Sequence, residues 1–178
     1  YRSAAVDPTL VPAEQRKDLI ALVALDADAA TWDALRDTAH STASPVLREY
    51  LYTVLGATRS KALASRALEL ALTDEPGATT SASIISRVSM LHPEMAFDFA
   101  LQHLDAVLKR VDESSARRYV ARLAASSTDP AMAERIRQFT AEHLADGPHR
   151  DADAAALSTT ICAEIRARRL PEVDAWVK

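Results

Sequence analysis

Five histidines, one cysteine and scattered carboxylates are the residues with chemistry in them, and their spacing joins none into a known catalytic device. His40, His92, His103, His143 and His149 never fall in H-E-x-x-H, the pattern that puts two metal ligands and a general base on one helix face. His143 and His149 bracket Gly147-Pro148, with Asp146, Arg150 and Asp151 nearby. A metal site is imaginable there, but solvated loop residues are the default for such a stretch. Glu142/Asp146 and Asp151/Asp153 read as surface charge at helix ends, since acids favour a helix N-terminus. With glycine only at Gly56, Gly77 and Gly147, no phosphate-cradling loop can be built. Ser41-Thr42 and Ser126-Ser127-Thr128 lack a fixed base and read as caps and turns. Cys162 stands alone, so it forms no intrachain disulfide and no thiolate metal site. Ile161 and Ile165 flank it at helical spacing, so a small buried core residue is expected, with a reactive thiol as the alternative. No residue is assigned a catalytic, cofactor-binding or metal-binding role.

The arginines carry the one constellation with binding potential. Arg110, Arg117, Arg118, Arg122, Arg135, Arg137, Arg166, Arg168 and Arg169 all fall in the C-terminal half. Arg118 and Arg122 are four apart, on one helix face. Asp112, Glu113, Glu134, Glu142 and Glu164 accompany them, which favours a salt-bridged solvated surface. The sharper expectation is a concave surface on which Arg118 and Arg122 meet a peptide carboxylate or a neighbouring domain.

The elements that must position these residues are helices. The 178 residues suffice for one compact domain with a core, and hydrophobic residues make up 48%. Rare glycine argues against a turn-rich β-sandwich, while Ala, Leu, Arg and Glu lose little rotamer freedom in helices. No run of about 18 apolar residues spans a bilayer, and no apolar signal-peptide segment follows Arg2. The net charge of −4, with acids and bases mixed, disfavours nucleic-acid binding, which rests on phosphate neutralisation. A start at Tyr1 rather than Met suggests a fragment or a processed chain, so the compartment stays open: cytoplasmic or exported, according to what precedes it.

Caps and breaks divide the chain into about ten helices. Pro12 opens the first, with Leu19, Ile20, Leu22 and Val23; Asp26 or Asp28 caps the second, with Trp32, Leu35 and Ala39. Ser44-Pro45 is a cap followed by proline at the first helical position, and Gly56 suits the C′ position of that helix. Ser60 opens the next helix, Asp74-Glu75-Pro76-Gly77 is a loop, and Thr79 or Thr80 begins a fifth helix. His92-Pro93 ends that one, because the residue before proline is pushed out of the α region. Phe97, Leu101, Leu104, Leu108 and Val111 step through a sixth. Ser114 or Ser115 caps a seventh with Tyr119, Val120 and Leu123, and Asp129-Pro130 begins an eighth that ends at Gly147-Pro148. Leu157, Ile161 and Ile165 mark a long ninth, and Pro171 starts a short last one in which Val173 and Trp176 are placed to pack back. The breaks suit antiparallel neighbours, so the predicted fold is all-α. Its helical hairpins stack as a HEAT- or armadillo-like curved array, a single domain over 1–178; an irregular bundle is the alternative. The helix pairs recur without a strict sequence period.

Three stretches resemble the C-terminal helical domain of the aminopeptidase N / puromycin-sensitive aminopeptidase family of zinc metallopeptidases. Ala30-Thr31-Trp32-Asp33-Ala34-Leu35, followed by Val46 to Gly56 (VLREYLYTVLG), is similar to the family's tryptophan-acid-x-leucine helix and its R-x-x-L-x-x-L-G helix. Arg66-Ala67-Leu68-Glu69-Leu70-Ala71-Leu72 resembles R-x-L-x-x-x-L, and Ala96 to Leu104 (AFDFALQHL) resembles A-W-D-F-x-x-x-N-W. Val173-Asp174-Ala175-Trp176-Val177 resembles the domain's closing I-x-x-W-L. The resemblance covers roughly Arg16 to Lys178. Phe97 and Leu104 stand where many members have tryptophan, and Pro76 to Thr80 replaces a basic-x-Gln-acid segment.

The resemblance implies a non-catalytic domain of an enzyme that removes single residues from peptide N-termini. Family members hold zinc with H-E-x-x-H plus a downstream Glu and bind the free amine with G-x-M-E-N, and this chain contains neither segment. Zinc would therefore belong to a catalytic domain elsewhere in the same polypeptide, with a zinc-activated water attacking the scissile carbonyl. The helical domain would cap the active-site cavity and govern peptide access; its partners would be that catalytic domain and the peptide substrate. Two other readings stand beside this one: a stand-alone helical-repeat adaptor for a protein partner, and an independent hydrolase using Cys162 or a serine.

Overall fold

The computed structural model describes residues 12–143 and 149–177, without the side chains of 13, 14, 113 and 117. Among the described residues every regular element is helical, so the all-α array expected from the sequence is borne out. The chain divides into two compact units, Tyr1–Leu91 and His92–Lys178.

The first unit contains α1 (Ala13–Leu25), α2 (Ala29–Ser41), α3 (Pro45–Val54), α4 (Lys61–Ala71) and α5 (Ala78–Ser89). Three start signals act as the sequence announces. Asp28 accepts from the Thr31 N–H at 2.7 Å, Ser44 from Leu47 and Ser60 from Leu63, and Pro45 occupies the first helical position of α3. Helix α3 lies against α1, α2 and α5, and α4 lies against α5. Arg66 of α4 reaches Asp33 of α2, so the odd-numbered helices form one layer and the even-numbered ones another. Between them sit Trp32, Tyr52, Leu51, Leu55, Leu68, Ile84 and Ile85, all nearly inaccessible. The Trp32 indole N–H donates to the Leu55 carbonyl at 3.1 Å, which satisfies the one polar atom of that ring in the core.

Gly56 does a different job from the one its sequence context suggests. The only glycine with positive φ among the described residues is Gly77, the N-cap of α5 at φ 80°. Helix α3 instead ends in a tightened turn, Leu55 N–H to Tyr52, Gly56 N–H to Thr53 and Ala57 N–H to Val54. A Cβ on Gly56 would lie 2.7 Å from the Ile84 carbonyl oxygen and 3.2 Å from both Arg87 Cβ and Val88 Cγ2. The glycine is therefore needed for the close approach of α3 to α5, not for a left-handed cap.

The second unit contains α6 (Pro93–Gln102), α7 (Leu104–Leu108), α8 (Glu113–Leu123), α9 (Met132–His143), α10 (Arg150–Glu164), a π-helical turn (Ile165–Arg169) and α11 (Leu170–Val177). Helix α8 packs against α6 and α10, and α9 packs against α10. Phe97, Val107, Val120, Met132 and Ile136 are fully buried. The expected sixth helix is split at His103, where φ −122° and ψ 33° leave the α region. Bonds from the His103 N–H to Phe99 and from the Val107 N–H to the His103 carbonyl bridge the split, so the apolar stepping reads through it. Asp112, not Ser114 or Ser115, caps α8, accepting from the Ser115 N–H at 3.1 Å. The break at Gly147-Pro148 lies outside the described residues.

The largest departure concerns the last helices. Helix α10 turns Ala152, Ala155, Ala156 and Thr159 inward, while Leu157, Ile161 and Ile165 are exposed. Small alanines let α10 approach α8 and α9 closely, and that contact wins over the larger side chains. Cys162 is half-buried rather than a core residue. Helix α11 runs on from α10 through the π turn instead of folding back, and Trp176 is 87% exposed.

Candidate functional site

The most strongly coupled polar cluster joins two helices and a loop of the first unit. Arg36 of α2 grips Glu75, in the loop after α4, through two bonds, Nε to Oε1 at 3.0 Å and Nη2 to Oε2 at 2.5 Å. The Tyr52 hydroxyl of α3 donates to the same Oε1 at 3.0 Å. The Arg36 hydrogen bonds hold the Glu75 carboxyl below the usual carboxylate range, and the Arg36 guanidinium is raised by the same contact. Burial first, and then donation to the Glu75 carboxylate, pushes the Tyr52 phenol up to about 12. A carboxylate that resists protonation and a phenol that resists ionisation are both mismatched to proton transfer near neutral pH. The cluster therefore acts as a clamp between α2, α3 and the α4–α5 loop, not as an acid–base pair.

A second arrangement occurs twice, once in each unit. In the first, Arg66 stacks on Trp32, 4.3 Å from the ring centroid, and pairs with Asp33 at 2.5 Å. In the second, Arg135 stands over Phe97 at 5.3 Å and pairs with Asp98. Phe139 meets Phe97 edge-on at 6.1 Å. The planar guanidinium supplies both the stacking and the ion pair, which a lysine could not do from one position. Around each arginine the sequence corresponds: Thr58, Ser60, Leu63, Ala64, Arg66 and Leu70 recur 69 residues on as Ser127, Asp129, Met132, Ala133, Arg135 and Phe139. Thr58 accepts from the Ser60 N–H and Ser127 from the Asp129 N–H, both at 3.1 Å. Sequence reasoning missed these clamps. The signal was an aromatic-Asp pair at 32–33 and at 97–98, each followed by an arginine 33 or 37 residues after the Asp.

Arg118 and Arg122 lie four apart on α8, and both are exposed. Arg118 donates to Ser115 Oγ at 3.0 Å, joining the N-terminal turn where Asp112 is held low, chiefly by the Ser114 hydroxyl and then by Ser115. Arg122 sits in the last turn, where a cation complements the helix dipole. Neither guanidinium is ion-paired among the described residues. No group of three His, Cys, Asp or Glu able to hold a metal occurs among the described residues.

Helical pairs tied by polar clamps are the setting for the comparison with known families. Residues 2–159 match the ERAP1-like C-terminal domain. The chain belongs to that family. The match bears out the resemblance to the C-terminal domain of the aminopeptidase family carried by the Trp32, Arg66 and Phe97 helices. Those are three of the four helices that hold the two arginine–aromatic clamps, so the resemblance and the packing rest partly on the same residues. No curated protein matches this chain. No helix among the described residues is long and apolar enough to cross a membrane.

Proposed function

We propose that this ERAP1-like C-terminal domain serves as the single, non-catalytic helical domain of a zinc aminopeptidase. The catalytic domain would lie in the same polypeptide and remove N-terminal residues from peptides. The observation that carries this reading is the family match over residues 2–159. Zinc, its ligands and the general base belong to the catalytic domain, where the metal activates the attacking water. The helical domain caps the active-site cavity and restricts it to extended peptides. Arg118 and Arg122, both exposed on one helix, are suited to a peptide carboxylate or to the catalytic domain's surface.

The first test is the coding sequence upstream of Tyr1. An H-E-x-x-H with a downstream Glu supports the reading; a start codon close to Tyr1 refutes it and leaves a protein-binding adaptor. The second is kinetic, on the full polypeptide with a series of peptides of increasing length. Arg118→Ala with Arg122→Ala raises KM for long peptides several-fold and leaves aminoacyl amides untouched. Equal effects on both substrate classes refute the distal-contact role.

A further inference from the structure

We infer that the two units are tandem copies of one four-helix repeat, and that they unfold separately, the second copy first. This goes beyond the capping role and does not depend on it.

The correspondence around Arg66 and Arg135 runs through whole helices. Leu51, Val54, Thr58, Leu63 and Ala67 are buried, and 69 residues on Val120, Leu123, Ser127, Met132 and Ile136 are buried in turn. Ser81, Ile84, Ile85 and Val88 of α5 recur 71 residues on as Ala152, Ala155, Ala156 and Thr159 of α10, again all buried. The packing recurs with them. Helix α8 lies against α6 and α10 as α3 lies against α2 and α5, and α9 lies against α10 as α4 lies against α5. Each copy is about half of the chain, above the ~55–65 residues at which single domains fold alone. Each is also tied to itself: Arg59–Asp26, Arg66–Asp33 and Arg36–Glu75 lie within the first copy, Ser127–Glu94 and Arg135–Asp98 within the second. Segments with their own core and their own ties open as separate cooperative bodies.

The order follows from what the copies bury. Where the first has Tyr52 and Leu55 the second has Ala121 and Ala124, and where the first has Ile84 and Ile85 the second has Ala155 and Ala156. The opposite exchange is smaller, Ala67 for Ile136 and Leu70 for Phe139. Among the described residues, and leaving proline aside, eleven buried hydrophobic side chains larger than alanine lie in the first copy and seven in the second. Burial stabilises in proportion to the apolar area removed from water, so the second copy is the weaker. With Ala121 at the Tyr52 position, it also has no phenol there to tie α8 to a loop.

The experiment is native-state hydrogen exchange, read by mass spectrometry on the full polypeptide in rising urea. Peptides from α2 to α5 share one opening, and peptides from α6, α8, α9 and α10 share another whose opening constant is at least tenfold larger. Arg135→Ala raises the second opening constant about tenfold, the worth of a half-exposed stacked ion pair, and leaves the first unchanged; Arg66→Ala does the converse. Arg135→Lys and Arg66→Lys keep the charge and lose the planar stacking, so they shift the same openings by less, and they replace any alanine variant that fails to fold. One opening common to all these helices overturns the proposal, as does a substitution that moves both openings equally. A first copy that opens before the second overturns the order.

Discussion

Gly56→Ala separates two explanations of one residue. If Gly56 were a left-handed cap, alanine would suffer from backbone conformation and asparagine would be tolerated nearly as well as glycine. The structure gives it no positive φ and puts a new Cβ 2.7 Å from the Ile84 carbonyl oxygen. The obstacle is backbone of α5, so it cannot swing aside as a side chain would, and α3 and α5 must move apart. Overpacking of this kind costs about 1–3 kcal/mol, while replacing glycine lowers the entropy of the unfolded chain and returns about 0.4–1 kcal/mol. The net expectation is a loss of about 1–2 kcal/mol. Calorimetry reads that as a fall of roughly 4–8 °C per kcal/mol if the Tyr1–Leu91 unit melts by itself, and of about half that if the whole chain melts together. Asparagine, being larger, is at least as damaging as alanine. A rise in Tm for alanine, or near-glycine stability for asparagine, would refute the close-approach argument.

Three further outcomes concern the first unit. Glu75 has its carboxyl depressed, so its contribution is present above the ordinary carboxylate range and lost as pH falls through its lowered value; Glu75→Gln flattens the acid limb of a Tm–pH curve and costs about 1 kcal/mol at neutral pH, the partly exposed Arg36 keeping it small. Tyr52, raised from 10.0 to about 12, stabilises the fold fully below pH 10.0 and loses that contribution as pH rises to about 12; denaturant titrations in that range show the decline in the wild type and its absence in Tyr52→Phe. The Ser81 hydroxyl is fully buried and has no hydrogen-bond partner among the described residues, so Ser81→Ala is expected to stabilise, by about 1 kcal/mol in urea unfolding, and a loss would show that the hydroxyl has an acceptor.

Local signals were legible and cross-helix ones were not. Ser44-Pro45, Ser60 and His92-Pro93 mark real boundaries because a cap or a proline acts within one turn of backbone. The Ser114/Ser115 reading failed by a few residues because Asp112 offers the same acceptor earlier. The Leu157–Ile161–Ile165 stripe announces a helix correctly, yet the buried face is the alanine one, since periodicity gives a face without saying what lies opposite. The arginine–aromatic clamps were invisible as local patterns: Arg66 and Asp33 meet only after the intervening helix α3 is in place. For the candidate site, the shared helix of Arg118 and Arg122 followed from spacing but their exposure did not, while the coupling of Glu75 to Arg36 and Tyr52 depended on where a loop is carried.

The polar ties between elements reach a narrow range along the chain, from 23 residues for Trp32 to Leu55 and Tyr52 to Glu75 up to 39. Arg59 to Asp26, Arg66 to Asp33 and Ser127 to Glu94 each span 33 residues, Arg135 to Asp98 spans 37, and Arg36 to Glu75 spans 39. Because the entropy of closing a loop grows only with the logarithm of its length, every tie faces nearly the same closure cost. None of these ties waits for distant parts of the chain to meet. Such low contact order implies rapid folding, with a rate set by one pair of helices and largely indifferent to how many are strung together.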